Sequence, residues 1–173
     1  MRHDSERVPG KNYRSLAGKP LFEHIVDALL DSAAVDEVVI DTDSPVITDL
    51  VLKRDDARVR VIPRPEHLRD GAIPMNKVLL HDIEHAPADY YLQTHSTNPL
   101  LKPQTIARAV EDFLAGMESG THDSLFGVTR WQTRLYDHAH KPLNHDPSKL
   151  ERTQDLPPDF EEHSNLYLVS ADS

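Results

Sequence analysis

Between Arg2 and Asn12 the chain reads Arg-His-Asp-Ser-Glu-Arg-Val-Pro-Gly-Lys-Asn, which sets three cations, Arg2, Arg7 and Lys11, around Gly10. Cations spread through a short loop, with a glycine that lets the backbone come close, meet what a phosphate requires: neutralised charge and accessible N–H groups. The stretch is not a Walker A loop, because Asn12 follows Gly10-Lys11 and Ser5 stands where the first glycine belongs. There is no G-x-G-x-x-G either, so the dinucleotide fingerprint is absent. A solvated basic terminus is the plainer reading of the same residues.

Other reactive types are present in weaker patterns. Of the 11 His, His81 and His85 share a helical face at i, i+4. Their segment, His81-Asp-Ile-Glu-His85, has Asp82 where the H-E-x-x-H base belongs, and the sequence offers no third ligand, so it reads against zinc chemistry. His138 and His140 read as solvated loop residues. Ser5, Ser96 and Ser164 each lie near a His, but without a G-x-S-x-G elbow they do not read as a triad nucleophile. The absence of Cys excludes a disulfide scaffold, a thiolate nucleophile and Cys-ligated zinc.

The elements that must position the basic loop follow from periodicity. Residues 20–34 predict an amphipathic helix with Pro20 in its first turn and Phe22, Ile25 and Leu29 on one face. Residues 37–41 form a short apolar run, the mark of a buried parallel strand. Ser44 then caps a helix over 45–54 with Pro45 at its first position. Strands are expected at 59–62, 90–93, 124–128 and 165–169, and helices at 74–86 and 103–117. Strands alternating with helices predict an α/β fold, a Rossmann-like, mostly parallel sheet with helices on both faces. Residues 130–163, punctuated by proline, read as a hairpin or irregular excursion within one domain spanning 1–173.

Composition sets the outer bounds. The 173 residues suit one domain with a real core, and 19 basic against 29 acidic residues argue against wholesale nucleic-acid binding. No apolar run approaches the ~20 residues that span a bilayer, so no membrane association is expected and a cytoplasmic location is. Both ends read as unfinished. The chain starts on what looks like a βα loop and stops shortly after its last strand, as if the reading frame were cut or mis-started.

Read together, these segments resemble one family. Ser5-Glu-Arg-Val-Pro-Gly-Lys-Asn12 followed by Leu16-Ala-Gly-Lys-Pro-Leu21 is similar to the opening of the acylneuraminate cytidylyltransferases, which include the CMP-sialic acid synthetases. Val39-Ile-Asp-Thr-Asp43, Arg64-Pro-Glu-His-Leu68, Leu92-Gln-Thr-His-Ser-Thr-Asn-Pro-Leu-Leu101, Arg152-Thr-Gln-Asp-Leu-Pro157 and Asn165-Leu-Tyr-Leu168 resemble its later motifs in order.

The resemblance implies transfer of CMP from CTP to an acidic nine-carbon, sialic-acid-like sugar, with loss of pyrophosphate. It implies that Arg2, Ser5, Arg7, Lys11 and Asn12 hold the triphosphate, with Lys11 and Arg2 the catalytic pair. Arg64 is implied as a cytosine contact, with the loop before Met75 closing over the base. Gln93 is implied as a sugar contact, Arg152 and Gln154 as lying beside the sugar or a homodimer contact, and Asp43 as a ligand of Mg2+. Three departures stand out: Glu6 where the family has Lys, Thr94-His-Ser-Thr-Asn98 in place of Pro-Thr-Ser, and an Asp-x-Asp metal pair that the family carries beyond the point where Ser173 falls. Alternative readings are a nucleotidyltransferase of this fold with another base or sugar, and a non-catalytic nucleotide-binding remnant.

Overall fold

The computed structural model describes residues 1–4 and 8–171. After a small hairpin, β1 (Ser15–Leu16) and β2 (Lys19–Pro20), helix α1 runs from Leu21 to Leu30 and buries Phe22, Ile25, Val26 and Leu29. The expected helix to residue 34 stops early. The apolar stripe ends at Leu30, and Ser32 turns the chain by accepting the amides of Val35 and Ala34.

Strand β3 (Val38–Thr42) leads through α2 (Pro45–Arg54) to β4 (Val59–Pro63), which pairs parallel to it with Val38 beside Val59 and Thr42 beside Pro63. The start of α2 is the one read from the sequence: the Ser44 hydroxyl accepts the Ile47 amide at 3.4 Å and Pro45 opens the helix. Helix α3 (Met75–His85) precedes β5 (Tyr90–Thr94), and α4 (Pro103–Ser119) precedes β6 (Ser124–Trp131).

The last strand departs from the expected pattern. Strand β7 extends from Asp159 to Ser170 and lies between β5 and β6, antiparallel to both. Strands β5 and β6 are joined by a crossover helix and so run the same way. Strand β7 instead returns from an irregular connection as the hairpin partner of β6, which forces the opposite direction. Besides the β1–β2 hairpin, the described strands therefore form a parallel pair and an antiparallel triplet, within the α/β fold that the sequence predicted with a mostly parallel sheet.

The excursion expected at 130–163 is bounded by a ladder: Trp131 sits opposite Asp159 and Val128 opposite Glu162, so the irregular part is narrower. At the register shift beside Gly127, a Cβ would come within 2.6 Å of the His163 ring, which would have to swing aside for a larger residue.

One core joins the two sheets. Phe22, Ile25 and Leu29 of α1, Ile40 of β3, Ile47 of α2, Ile106 and Phe113 of α4, and Leu166 and Leu168 of β7 pack as a single cluster. Among the described residues no helix is long and apolar enough to cross a membrane.

Candidate functional site

The N-terminal segment is fastened along the carboxyl end of β3. The Met1 amino group donates to the Asp41 carbonyl, and the His3 amide donates to Asp43 Oδ1 at 2.6 Å. The His3 ring lies 2.8 Å from Ser44 Oγ and stacks on Tyr13 with centroids 5.6 Å apart. The chain then turns through Gly10, at φ 63°, into a 3-10 turn over Lys11–Tyr13, with the Tyr13 amide on the Gly10 carbonyl at 3.1 Å. A glycine suits this left-handed position, and a Cβ there would meet the Tyr13 ring at 2.7 Å.

Asn12 is the buried centre of the turn. Its Nδ2 donates to the Arg2 carbonyl at 3.0 Å, and Ser96 Oγ, in the loop after β5, donates to its Oδ1 at 2.7 Å. These bonds hold the segment carrying Arg2 and Lys11 against the ends of β3 and β5. His95 stands beside the turn. Burial first, and then the charges of Lys11 and the Met1 amine, lower its pKa, so it is neutral at physiological pH. Sequence reasoning read His95 and Ser96 only within a family motif and missed their place at this turn; a polar loop directly after an apolar strand was the available signal.

A cleft of about 370 Å3 opens at the carboxyl ends of β3 and β4, walled by Thr42, Asp43, Ser44, Arg64 and Arg69. Ligands in open α/β sheets collect at such strand ends. A larger groove of about 510 Å3 lies at the opposite end of β5, around Tyr90 and Met117, remote from the basic loop. Charge and backbone donors converge at the smaller one.

Arg64 is buried, and its Nε donates to Asp41 Oδ1. Behind this pair stands Asp82 of α3. Burial first, and then the Asp41 carboxyl, push its pKa up to about 7. The Met1 amine, desolvated and facing Arg64, is pushed down to about 5. The sequence analysis passed over Asp41 as a functional residue, although an acid inside a buried apolar strand is itself a signal. The third donor that the sequence did not offer to His81 is also here: a His81 ring nitrogen comes together with oxygens of Asp41 and Asp82, and separately with Glu84 and His85 at the surface.

Asp43 stands at the cleft with one oxygen on the His3 amide. Among the described residues Asp43 belongs to no group of three or more acids and imidazoles that could together hold an ion. As a carboxylate at the cleft it would suit Mg2+, which keeps several waters and takes few protein ligands.

The remaining expected residues lie apart. Gln93 is half-buried on β5 opposite Tyr167. Arg152 is exposed and grips Asp155 at 2.7 and 3.2 Å, and Gln154 is exposed in the 3-10 turn over Thr153–Asp155. Ser5 and Arg7 lie outside the described residues.

Comparison with known proteins follows this geometry. The family model described as cytidylyltransferase matches residues 1–172. The chain is 37% identical over 114 residues to a CMP-N,N'-diacetyllegionaminic acid synthase of Legionella pneumophila, covering 64% of this chain and 49% of the relative. It is 29% identical over 136 residues to a pseudaminic acid cytidylyltransferase of Campylobacter jejuni, covering 76% of this chain and 56% of that one. The chain thus spans about half the length of these relatives. Among solved structures, a CMP:2-keto-3-deoxy-manno-octonic acid synthetase complexed with CTP superposes with a TM-score of 0.72 at 17% identity, over 99% of this chain and 72% of that one. At that identity the likeness shows the fold alone, a Rossmann-like α/β architecture.

Proposed function

The chain belongs to the cytidylyltransferase family, and on that footing we propose that it transfers CMP from CTP to a nonulosonic acid of the sialic-acid type. What carries the reading is the bonding of the Lys11–Asn12 turn to Ser96 and to the Arg2 carbonyl, which gathers the chain's basic loop at the carboxyl ends of β3 and β5.

In the proposed reaction the sugar's anomeric hydroxyl loses its proton and attacks the α-phosphorus in line. One oxygen–phosphorus bond forms, the bond from the α-phosphorus to the bridging oxygen breaks, and pyrophosphate carries away the electron pair. Little covalent work falls to the protein, so positioning and charge neutralisation dominate. Lys11 and Arg2 neutralise the phosphates, with Ser5, Arg7 and Asn12 completing the cradle. Arg64, a wall of the cleft held by Asp41, is the proposed cytosine contact. Gln93, Arg152 and Gln154 are the proposed sugar contacts. Asp43 is the residue that would hold Mg2+, which would supply charge to screen the triphosphate.

A cytoplasmic homodimer completes the reading. Phe126, Trp131, Leu143 and Phe160, all exposed on or beside the β6–β7 ladder, supply apolar surface for a second copy.

The test is pyrophosphate release from CTP with N-acetylneuraminate and related nonulosonic acids, run beside ATP and GTP. Sugar-dependent release with CTP in preference to purine nucleotides is expected. Equal turnover of ATP would overturn the cytidine assignment.

A further inference from the structure

Between β3 and α3, three residues that come within ligand distance of one another each carry a buried polar atom without a partner. Asp41 Oδ2, Asp82 Oδ1 and His81 Nε2 are all buried, and none has a hydrogen-bond partner. A ring nitrogen of His81 and a carboxylate oxygen each of Asp41 and Asp82 lie within 4.8 Å of one another. The Asp41 side chain is only 5% exposed, so bulk solvent does not reach it. Buried polar atoms are nearly always paired, and three orphans on adjoining residues call for a common partner.

We propose that Asp41, His81 and Asp82 together bind one divalent transition-metal ion of the Zn2+ class, at a site distinct from the nucleotide cleft. A proton shared between the two carboxyls would satisfy that pair and leave the imidazole nitrogen alone, whereas a cation takes a lone pair from each of the three. Two carboxylates and one imidazole form a mixed nitrogen and oxygen set. Such a set suits zinc, cobalt or manganese better than calcium or magnesium, which favour oxygen alone.

The surroundings are those of a supported ligand. Arg64 occupies Oδ1 of Asp41 and leaves Oδ2 without a partner, the orienting role that outer partners take at metal sites. His81 and Asp82 are adjacent on α3, and Asp41 lies 40 positions earlier on β3, so the ion would tie helix to strand. Arg64 is the cation that faces the cluster; the Met1 amine beside it, pushed down to about 5, adds no charge at neutral pH. The surface group of His81, Glu84 and His85 competes for the same imidazole but is open to solvent at Glu84 and His85.

The experiment is a titration of the chelator-treated chain with Co2+, read by visible absorption, followed by displacement with Zn2+. Expected are the intense bands of four- or five-coordinate Co2+, saturating at one ion per chain and vanishing on addition of Zn2+. Asp82→Asn and His81→Gln should each weaken binding by roughly tenfold or more, while Glu84→Gln and His85→Ala leave it unchanged. Circular dichroism shows whether each variant is folded. Should a variant not fold, the parent's spectrum decides alone: a pale, octahedral, non-saturating signal overturns the proposal. So does loss of binding in Glu84→Gln or His85→Ala with Asp82→Asn unaffected.

Discussion

Ser96 Oγ donates to Asn12 Oδ1 at 2.7 Å across 84 positions of sequence. Through this bond the loop after β5 holds the turn that carries Lys11, and Asn12 passes the constraint to Arg2 through its amide. Uncharged groups thus help to set the arrangement of the basic loop, beside the bonds that Met1 and His3 make to Asp41 and Asp43. Asn12→Ala removes both bonds and leaves the Ser96 hydroxyl and the Arg2 carbonyl without their partner. A loss of ~1–3 kcal/mol in urea denaturation is expected, with a fall in CTP affinity. Ser96→Ala removes one bond and should cost ~1 kcal/mol. A variant as stable as the parent would show that the loop is held by other means.

Lys11 supplies charge where the turn meets the strand ends. Lys11→Ala should weaken CTP binding by ~1.5–3 kcal/mol, the worth of a charge-assisted bond, with the fold intact. Isothermal titration at fixed salt measures it. Unchanged affinity would reduce the segment to a solvated basic tail.

Gly10 has a geometric task. At φ 63°, with the Tyr13 ring 2.7 Å from where a Cβ would stand, Gly10→Ala meets both a left-handed backbone and a clash. A cost of ~1–2 kcal/mol is expected from the backbone alone. It should appear in a thermal melt, with CTP affinity falling as the turn shifts. Wild-type behaviour in both would mean the turn relaxes freely.

Asp27 gives a pH test away from the site. Burial raises its pKa, but hydrogen bonds from Lys19 and from Arg54, the latter at 2.6 Å, outweigh burial and hold it below the ordinary 3.8. A depressed folded pKa means that the contribution is present above the unfolded pKa and disappears as pH falls through the folded one. Asp27 is about one-third exposed, so Asp27→Asn should cost only ~0.5–1 kcal/mol at neutral pH. Urea melts at falling pH should show the gap between parent and variant closing in the acid range. A gap independent of pH would contradict the ion-pair account.

The homodimer is tested by sedimentation at micromolar concentration, where twice 19.6 kDa is expected. Trp131→Glu together with Phe160→Glu should give monomer without loss of helix content. A monomeric parent would remove the dimer from the reading.

Much of the architecture was legible because it rests on neighbours in sequence. Ser44 and Pro45 start α2 through contacts within one turn, and the expected span of 45–54 is the observed one. The apolar runs of β3, β4 and β5 declare strands, and the cations around Gly10 mark the loop that the proposal assigns to phosphate. Such features depend on interactions a few residues apart, which a pattern of residue types encodes directly. The direction and length of β7 were not legible. Its first half, Asp-Phe-Glu-Glu-His, is mostly exposed and becomes strand only because β6 pairs with it. The meeting of Asp41 with Asp82, and of Asn12 with Ser96, was also decided only by tertiary structure. Each spans 40 or more positions, and the distance between two such side chains is set by how the helices and strands of one core pack, which no local pattern records.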